Sequence, residues 1–589
     1  MFTSRMRLLV LSMVGLVALL VAACGDGARP PTPTRPPSPT ATPVPATATP
    51  VPATATPVQT TVTATATPAP IATATPSATV PTPVVKQPGK RGGALQLRTI
   101  QGTFTWDAFA STGTVNFHFF GPLLNNLIWS DPYGTDLNGD AAEGWTISDA
   151  GKVITFRLRK GITYHDGTPL TSKDVAYNID RGVHPRDTTM TQFRVLFSAI
   201  SQIETPDDLT VKLTLSAPSN VMLPALASPG VFIYPAAYPF PERLADWQKA
   251  PIGSGPYKMT AIQPDNKISY VKNGNYFKPG MPYVDALEMT AMGNETAIAA
   301  FRAGKLDGAN LDSSSIQYQL PELAKAWGFV PVKLSISISS LYVNQKPPFT
   351  NPLVRQALNL AMDRQALVNT WLRGVGTRLA PPLLPPELGG RFGIPQKEME
   401  TMPGYGEDKT ADLAAAKALL KQAGVDPSTI TINLQGTVTF PQFAETVDAS
   451  LRDLGFKTKV EILSGVEASS RQLAGNFDAL ATETSLTFDD PKDRLAGYLG
   501  TGGPFNYGKW SNPKIDDLIA QEDREQDPAK RKQLILDLQR ADLDDHVLMP
   551  LVVRQGYAGY MPWLKNYPTN VTMIFSNIFR WEQVWLDRG

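Results

Sequence analysis

A histidine and a carboxylate stand side by side at His165 and Asp166, within the tract Tyr164-His165-Asp166-Gly167. Such a pair could exchange a proton in acid–base catalysis. Adjacent side chains of an extended chain point in opposite directions, however, and an Asp-Gly pair is typical of a tight turn. We therefore interpret the tract as a turn and predict no catalytic residue in it.

The other residues that could carry chemistry are few and scattered. The four histidines are His118, His165, His184 and His546, and Cys24 is the only cysteine. This argues against a His-rich metal site and excludes both an intramolecular disulfide and a Cys-based zinc site. Walker A, Rossmann and Gly-x-Ser-x-Gly motifs are missing from the sequence. We expect no enzyme, no cofactor and no metal, with a hydrolase whose site is unrecognised as the alternative.

Cys24 stands where an apolar N-terminal segment meets a proline-rich one. Arg5 and Arg7 precede an apolar run over residues 8–21, which is too short for a membrane span of ~20 residues but fits an export signal. The tract Val21-Ala22-Ala23-Cys24 resembles a bacterial lipobox, so we expect a lipoprotein signal peptide over residues 1–23 and a lipidated Cys24. An ordinary signal peptide with a chance cysteine is the alternative.

Residues 24–88 have the composition of a spacer. Seventeen of the 53 prolines lie between Pro30 and Pro88, and no aromatic residue occurs between Phe2 and Phe104. Such a segment cannot bury enough apolar surface to offset its ordering entropy. It predicts a disordered Pro/Thr/Ala-rich tether that holds a folded part away from a membrane, and a glycosylated stalk is the other interpretation.

The rest of the chain is long enough for more than one lobe, since single cores stop growing near ~250–300 residues. The formal net charge of +1, from 54 basic and 53 acidic residues, argues against nucleic acid as a partner. Alternation in residues 153–159 predicts a half-buried strand, and Thr171 with Asp174 predicts a helix-opening capping box. After residue 350, strands and helices alternate regularly, which predicts an α/β sheet with helices on its faces. Asn351 with Pro352 predicts the start of a helix over residues 351–368, and Asp527 with Pro528 predicts the start of another to about Asp545. The apolar run over residues 546–553 predicts a buried strand after it.

Six tracts stand in the order found in family 5 extracellular solute-binding proteins, the oligopeptide-, dipeptide- and nickel-binding components of bacterial ABC importers. They are FRLRKGITYHDGTPLTSKDVAYNIDR, PIGSGPYKM, KNGNYFKPGMPYVDALEM, FRAGKLDGANL, LYVNQKPPFTNPLVRQALNLAMDRQALV and AAAKALLKQAG. The sequence resembles this family from about residue 92 to 585. The resemblance implies an α/β fold that is two-lobed and periplasmic-binding-protein-like (type II), with an extra subdomain.

The resemblance also implies how the lobes are built. Lobe 1 would combine residues 89–135, 228–345 and 555–589, with an inserted subdomain over 136–227, and lobe 2 would span 346–554. The lobes would be joined near residues 341–345 and 552–557 and would close over a ligand. We expect a monomer outside the cytoplasm, anchored to the cell membrane by Cys24, that serves an ABC permease and its ATPase.

Residues for the cleft follow from the same resemblance. In lobe 1, Trp106, Phe117 and Phe119 are the aromatic candidates, with Trp129 ranked below them, and packing in the core is the alternative for each. Tyr342 and Asn344 resemble a tyrosine–asparagine pattern of relatives in the first strand joining the lobes. Trp510 would face the cleft or cap the following helix.

The segment ETSLTFDDP, residues 483–491, decides the expected ligand. Peptide-binding relatives carry a Gly-Trp-x-x-Asp-Tyr-x-x-Pro-like segment whose aspartate pairs with the peptide ammonium group. Here Thr487 occupies the aspartate position and Phe488 the aromatic one, and Asp489 or Asp490 could substitute, or could cap a helix or lie in a surface turn. Peptides lead as the ligand class, and an oligosaccharide, an opine-like compound or a metal chelate is the alternative.

Overall fold

The structure is a computed structural model that describes residues 89–99, 106–110, 119–130, 137–184, 196–228, 230–263, 267–310, 320–484, 490–567 and 581–588. The predicted signal peptide, Cys24 and the tether lie outside the described residues. Among the described residues, no helix is both long enough and apolar enough to span a bilayer.

The described residues contain nineteen strands. Their bounds are β1 (Ala94–Thr99), β2 (Ile128–Ser130), β3 (Leu137–Gly139), β4 (Ala142–Ser148), β5 (Val153–Leu158), β6 (Ile200–Asp207), β7 (Thr210–Leu215), β8 (Tyr257–Gln263), β9 (Lys267–Lys272), β10 (Ala286–Ala291), β11 (Gly308–Asn310), β12 (Val330–Val343), β13 (Gly376–Thr377), β14 (Thr431–Thr437), β15 (Lys457–Leu463), β16 (Ala479–Thr484), β17 (Leu548–Tyr560), β18 (Leu564–Lys565) and β19 (Trp585–Leu586).

The helices lie between these strands. Their bounds are α1 (Ser172–Val183), α2 (Met222–Leu226), α3 (Leu244–Lys249), α4 (Asn294–Arg302), α5 (Leu320–Trp327), α6 (Pro352–Ala361), α7 (Arg364–Ala366), α8 (Gln396–Met399), α9 (Lys409–Gln422), α10 (Pro441–Asp453), α11 (Gly465–Leu473), α12 (Gly497–Leu499), α13 (Pro513–Arg524) and α14 (Pro528–Asp545). Two π-helical turns, Leu367–Trp371 and Lys492–Ala496, follow α7 and precede α12.

One mixed sheet of eleven strands runs through the molecule in the order β15-β14-β16-β12-β17-β11-β1-β10-β9-β8, with β13 paired to β17. The two long strands β12 and β17 are antiparallel neighbours at its centre, and their register shifts between Ser339 and Ser340 and again between Ser335 and Ser337. On one side of the shift at Ser335–Ser337, β12 pairs with β16, and on the other β17 pairs with β11. These two strands therefore join the two ends of the sheet.

Separate hydrophobic cores lie at the two ends. Core 1 gathers buried residues from Leu95 to Met289 and from Ala558 to Leu586. Cores 2 and 3 cover opposite faces of β12 beyond the register shift, because Leu341 packs in core 2 and Tyr342 in core 3. Helices α6, α9 and α10 supply core 2, and α13 and α14 supply core 3. The α/β fold class predicted from the sequence is confirmed.

A smaller antiparallel sheet, β4-β5-β7-β6, contributes the buried side chains of β5 and β7 to core 1 and is covered by α1. The alternation predicted in β5 is confirmed, since Ile154, Phe156 and Leu158 are buried. The capping box is confirmed as well, with Thr171 and Asp174 bonded reciprocally at the start of α1. This sheet falls within the range predicted for the inserted subdomain, whose boundaries remain a prediction.

Two elements differ from the sequence expectation. The helix predicted over residues 351–368 begins as expected, with Asn351 accepting the Leu353 amide at 3.0 Å, but it ends at Ala361. Asp363 then opens α7 by accepting the Ala366 amide at 2.8 Å. The strand predicted at residues 546–553 extends to Tyr560, because pairing with β12 and β11 holds residues whose local sequence is not strand-like.

Arg364 connects three segments in the second half of the molecule, which is the part built around cores 2 and 3. Its guanidinium is fully buried and donates to the carbonyls of Asn359, Gly404 and Pro550 at 2.8–3.2 Å. It also donates to the Asn359 side chain at 2.6 Å and lies 4.0 Å from the Tyr405 ring centre. A buried cation is tolerated only when its donors are satisfied, and here all three nitrogens have acceptors.

Replacing Arg364 with Met should lower the free energy of unfolding by about 3–5 kcal/mol, because several buried carbonyl acceptors lose their donor. Urea denaturation monitored by tryptophan fluorescence measures this change. The control is Arg452→Met in α10, where the side chain is 61% exposed and a loss below about 1 kcal/mol is expected. Equal losses in the two variants would contradict the assignment.

Candidate ligand-binding site

A cavity of about 230 Å³ opens beside the register shift of β12 and β17. Its lining comes from the end of β14, the start of α10, one face of α11 and the end of β16. The lining residues are Thr437, Thr439, Phe440, Phe443, Ala468, Ser469, Gln472, Ala481, Thr482 and Glu483. Six of these ten residues have polar or charged side chains, and two phenylalanines and two alanines form the apolar part of the wall.

The close packing of α10 against β14 positions the cavity. Gly436 lies so near α10 that an added Cβ would stand 2.5 Å from the Ala444 side chain. Pro441 opens α10 at its first position, directly after Phe440. Helix α10 therefore starts at the carboxyl end of β14, and its first turn carries Phe443 toward the cavity.

One ion pair borders the cavity. The Glu483 carboxylate accepts two hydrogen bonds from the Arg554 guanidinium, at 2.6 and 3.0 Å, and a third from the Ser339 hydroxyl at 3.3 Å. A two-pronged pair of this kind fixes both side chains more firmly than a single contact. Because Ser339 lies in β12 and Arg554 in β17, the pair ties the cavity to both crossing strands.

Aromatic packing supports the same wall. The Arg554 guanidinium lies 4.7 Å from the Phe440 ring centre. Trp371 stacks on Phe443 with ring centres 4.7 Å apart and an interplanar angle of 16°, and it meets Phe440 edge-on at 5.7 Å. The two phenylalanines are therefore held from behind, which fixes the position of the apolar part of the cavity wall.

Three residues predicted for the cleft lie in the interior of the second half. Tyr342 is fully buried; its hydroxyl donates to Asn506 Oδ1 at 2.9 Å and accepts the Gly508 amide at 3.2 Å. Burial raises the pKa of Tyr342, so the hydroxyl keeps its proton. Asn344 donates to the carbonyls of Gly475 and Phe477, and Trp510 Nε1 donates to the Val343 carbonyl at 2.7 Å. Their contact with a ligand remains a prediction.

Phe119 and Trp106, two aromatic candidates of the first half of the molecule, lie in or against core 1, around which that half is built. Phe119 is 5% exposed, and Trp106 is half-buried and meets Trp247 edge-on at 6.0 Å. Trp129 is buried, with the Lys278 ammonium 5.7 Å from its ring centre. Phe119 and Trp106 thus pack in or against core 1, whereas Tyr342 and Trp510 pack in or against core 3. Their role at a ligand remains a prediction too.

Five predicted residues fall outside the described ranges: Cys24, Phe117, Thr487, Phe488 and Asp489. The neighbouring Asp490 is described, and it is buried. Its carboxylate accepts the Lys492 amide at 3.0 Å and pairs with Arg531 at 2.6 Å. Asp490 therefore matches the interpretation as a helix-opening residue, the alternative given for this segment.

His165 is engaged by the backbone of a second family tract. Its Nδ1 accepts the Gly253 amide at 3.2 Å, and its Nε2 donates to the Gly255 carbonyl at 3.1 Å. A Cβ at Gly253 or Gly255 would collide with the backbone of Pro122 and Leu123, so only glycine fits this approach. Burial, the largest cause, lowers the pKa of His165 to about 4. Both ring nitrogens serve the fold, which agrees with the turn interpretation.

Within the described residues, no cluster of three His, Cys, Asp or Glu side chains is arranged to hold a metal ion.

The comparisons with known proteins decide the family. The profile of "Bacterial extracellular solute-binding proteins, family 5 Middle" matches residues 136–506, more than half of the chain. The chain belongs to this family. The solute-binding class and the extracytoplasmic location expected from the sequence are thereby confirmed at the level of the family.

Individual relatives agree with the family. The glutathione-binding protein GsiB of Escherichia coli strain K12 is 27% identical over 431 residues, covering 70% of this chain and 80% of GsiB. The protein AgaA of A. tumefaciens R10, solved in complex with agropinic acid, is 25% identical with a TM-score of 0.73, covering 84% of this chain and 99% of AgaA. DppA of Helicobacter pylori, at 24% identity with a TM-score of 0.73, covers 85% of this chain and 99% of DppA, and shares the fold.

Sequence reasoning did not single out the residues that shape the cavity. Glu483 was included only as the first residue of the ligand segment, and Phe440, Phe443 and Arg554 were not considered. One signal was available: Arg554 is a charged residue that directly follows the apolar run Leu551-Val552-Val553. A charge next to a buried strand requires a partner, although the sequence does not reveal which one.

The buried His165 makes stability depend on pH. Its neutral form is favoured in the folded state, so its contribution is complete above pH 6.5 and is lost as pH falls toward 4. The difference in unfolding free energy between the wild type and His165→Ala should therefore shrink by about 2–3 kcal/mol between pH 7 and pH 4. Urea titrations at several pH values measure it.

The matched control is His184→Ala, because the His184 side chain is 75% exposed. Its difference from the wild type should remain below about 0.5 kcal/mol at both pH values. A His165→Ala difference that does not change with pH would contradict the proposed protonation state.

Proposed function

We propose that this solute-binding protein captures a peptide at the cavity beside the crossing strands and presents it to the permease of an ABC importer. The observation that carries the proposal is the cavity itself, which combines two phenylalanine rings with the Glu483 carboxylate. Apolar walls suit side chains of varied sequence, and a carboxylate suits an ammonium or amide donor. Glutathione, which GsiB is named for binding, is itself a tripeptide.

The lobe assignment belongs to the same proposal. Lobe 1 would be residues 89–135, 228–345 and 555–589, with its subdomain at 136–227, and lobe 2 would be residues 346–554. The cavity lies wholly within lobe 2 so defined, at the edge nearest the crossing strands. A ligand held there and touched by lobe 1 would bind the closed state better than the open one, and would shift the population toward closure.

A non-peptide ligand is the second candidate. Two observations favour it: Thr487 replaces the aspartate expected in peptide-binding relatives, and AgaA was solved with agropinic acid, which is not a peptide. Threonine cannot supply the negative charge that pairs with an ammonium group. Glu483 could supply that charge instead, although Arg554 already neutralises it.

We further propose that binding involves no covalent chemistry and that the protein works while tethered. The histidine–aspartate pair of the tract at residues 164–167 is used in turn geometry, and family membership supports binding. Lipidation of Cys24 would hold the protein at the outer face of the membrane, and residues 24–88 would give it reach. Two or more acyl chains are needed for stable anchoring, which is the outcome of lipobox processing.

Blocking the cavity should remove the ligand. Ser469 lines the cavity and is exposed, whereas Ser470 is exposed on the same helix but does not line it. Ser469→Trp should abolish co-purification of a bound solute or weaken its binding more than tenfold, and Ser470→Trp should leave both unchanged. Native mass spectrometry of the purified proteins identifies and quantifies the solute.

The identity of the solute separates the two candidates. A mixed population of peptides would support the peptide class, and a single non-peptide species would replace it with the second candidate. Equal solute occupancy in the Ser469→Trp and Ser470→Trp proteins would show that the binding site lies elsewhere.

The proposed lipid anchoring through Cys24 leads to a separate prediction. Cys24→Ser should release the protein from the membrane fraction into the medium or periplasm, because the acyl chains have no attachment point. Immunoblots of fractionated cells measure the release, and ligand occupancy by mass spectrometry should match that of the wild type. Retention of the Cys24→Ser protein in membranes after a salt wash would argue against lipid anchoring.

A further inference from the structure

The end of α13 is bonded to a loop more than 300 positions earlier in the chain. The loop is Ser219-Asn220-Val221, which directly precedes α2. The Ser219 hydroxyl donates to Asp523 Oδ1 at 3.0 Å, and the Asn220 amide donates to the Asp523 carbonyl at 3.0 Å. The Val221 amide donates to Asp523 Oδ1 at 3.3 Å.

Asn220 carries most of this contact. Its side-chain nitrogen donates to the carbonyls of Glu522, at 3.1 Å, and Glu525, at 2.7 Å. The carbonyl oxygens in the last turn of a helix have no backbone N–H donor within the helix itself. Asn220 therefore caps the C-terminus of α13 from outside, and an amide is required because one nitrogen must supply two donors.

The two partners belong to different halves of the molecule. Val221 packs in core 1, whereas α13 contributes Ile515 to core 3. The halves are joined by β12 and β17, which run through the register shift. The contact is polar and half-buried, and such hydrogen bonds can be exchanged for bonds to water at little net cost. The contact between this loop and α13 is thus suited to breaking and re-forming as the two halves move apart and together.

The α13 side of the contact is tied to the predicted ligand segment. Asp523 Oδ2 accepts the Lys492 ammonium at 2.6 Å. Arg531 joins Glu522 to Asp490 at 3.1 and 2.6 Å. Asp490 and Lys492, at the end of the segment 483–491 and directly after it, are therefore tied to the end of α13 by short charged contacts.

We propose that Ser219 and Asn220 form a reversible latch that holds the two halves closed and thereby sets how slowly the ligand leaves. The proposal rests on the proposed function, since it concerns release from the same site. Asn220 is a positioning residue: it does not line the cavity, and it acts through α13 and the ion pairs around Lys492 and Arg531. Closure that is held by bonds remote from the ligand slows dissociation more than association.

The test uses Asn220→Asp, which keeps the size of the side chain but turns its two donors into acceptors facing carbonyls and Asp523. The matched control is Asn275→Asp, the same change at an exposed position of the first half. Both are made in the full chain with Cys24→Ser and with spin labels at two exposed positions, Gln202→Cys in β6 and Lys514→Cys in α13.

Pulsed electron paramagnetic resonance then reports the distance between the halves. Asn220→Asp should add a longer distance that the wild type and Asn275→Asp lack. With the tripeptide Ala-Ala-Ala as probe, its dissociation rate should rise about tenfold while the association rate changes less than threefold. Circular dichroism at 222 nm should be the same in all variants; if Asn220→Asp is not folded, Ser219→Ala should show the same changes to a smaller extent.

The outcomes separate the two proposals. Identical distance distributions and dissociation rates in folded Asn220→Asp and wild type would overturn the latch. Failure of the tripeptide to bind either protein would count against a peptide ligand, while the distance distributions would still decide the latch. A longer distance in Asn275→Asp as well would assign the effect to added charge, and would also overturn it.

Discussion

The antiparallel pairing of β12 with β17 is the constraint on which the rest of the structure depends. It joins the three strands beyond β12 to the five beyond β17, so one pair of strands carries the connection between two separately packed ends. The register shift at Ser335–Ser337 breaks the regular ladder at the middle of this pairing. A bulge of this kind bends a strand and increases its twist, and it is common beside functional sites.

The proposed ligand site lies next to the register shift of β12 and β17. The Glu483–Arg554 pair and Ser339 connect the edge of the cavity to both long strands, close to the shift. Two charges withdrawn from water are costly unless each is fully bonded, and here both prongs of the guanidinium meet the carboxylate. A group that altered this pair would act on the cavity and on the crossing strands together. The arrangement gives a physical reason for recognition and closure to be coupled.

The family tracts turn out to serve the fold more than the site. His165 and the glycines at 253 and 255 lock one tract onto another by backbone bonds and close approach. Asn351 and Asp363 open helices, and Arg364 gathers carbonyls from three segments. Motifs of this kind identify an architecture because they are required to assemble it. They carry little information on the ligand, because the contacts described for them are made within the fold.

The sequence by itself determined the local elements: the alternation in β5, the caps at Thr171, Asn351 and Asp527, and the order of motifs that indicates the family. These features are short-ranged, since caps and periodicity involve residues within a few positions of one another. Tertiary structure alone decided the extension of β17, the cavity behind Phe440, the Glu483–Arg554 pair and the contact of Asn220 with α13. Each of these joins residues far apart in the chain, and packing of the whole sheet, which no local pattern encodes, sets which of them meet.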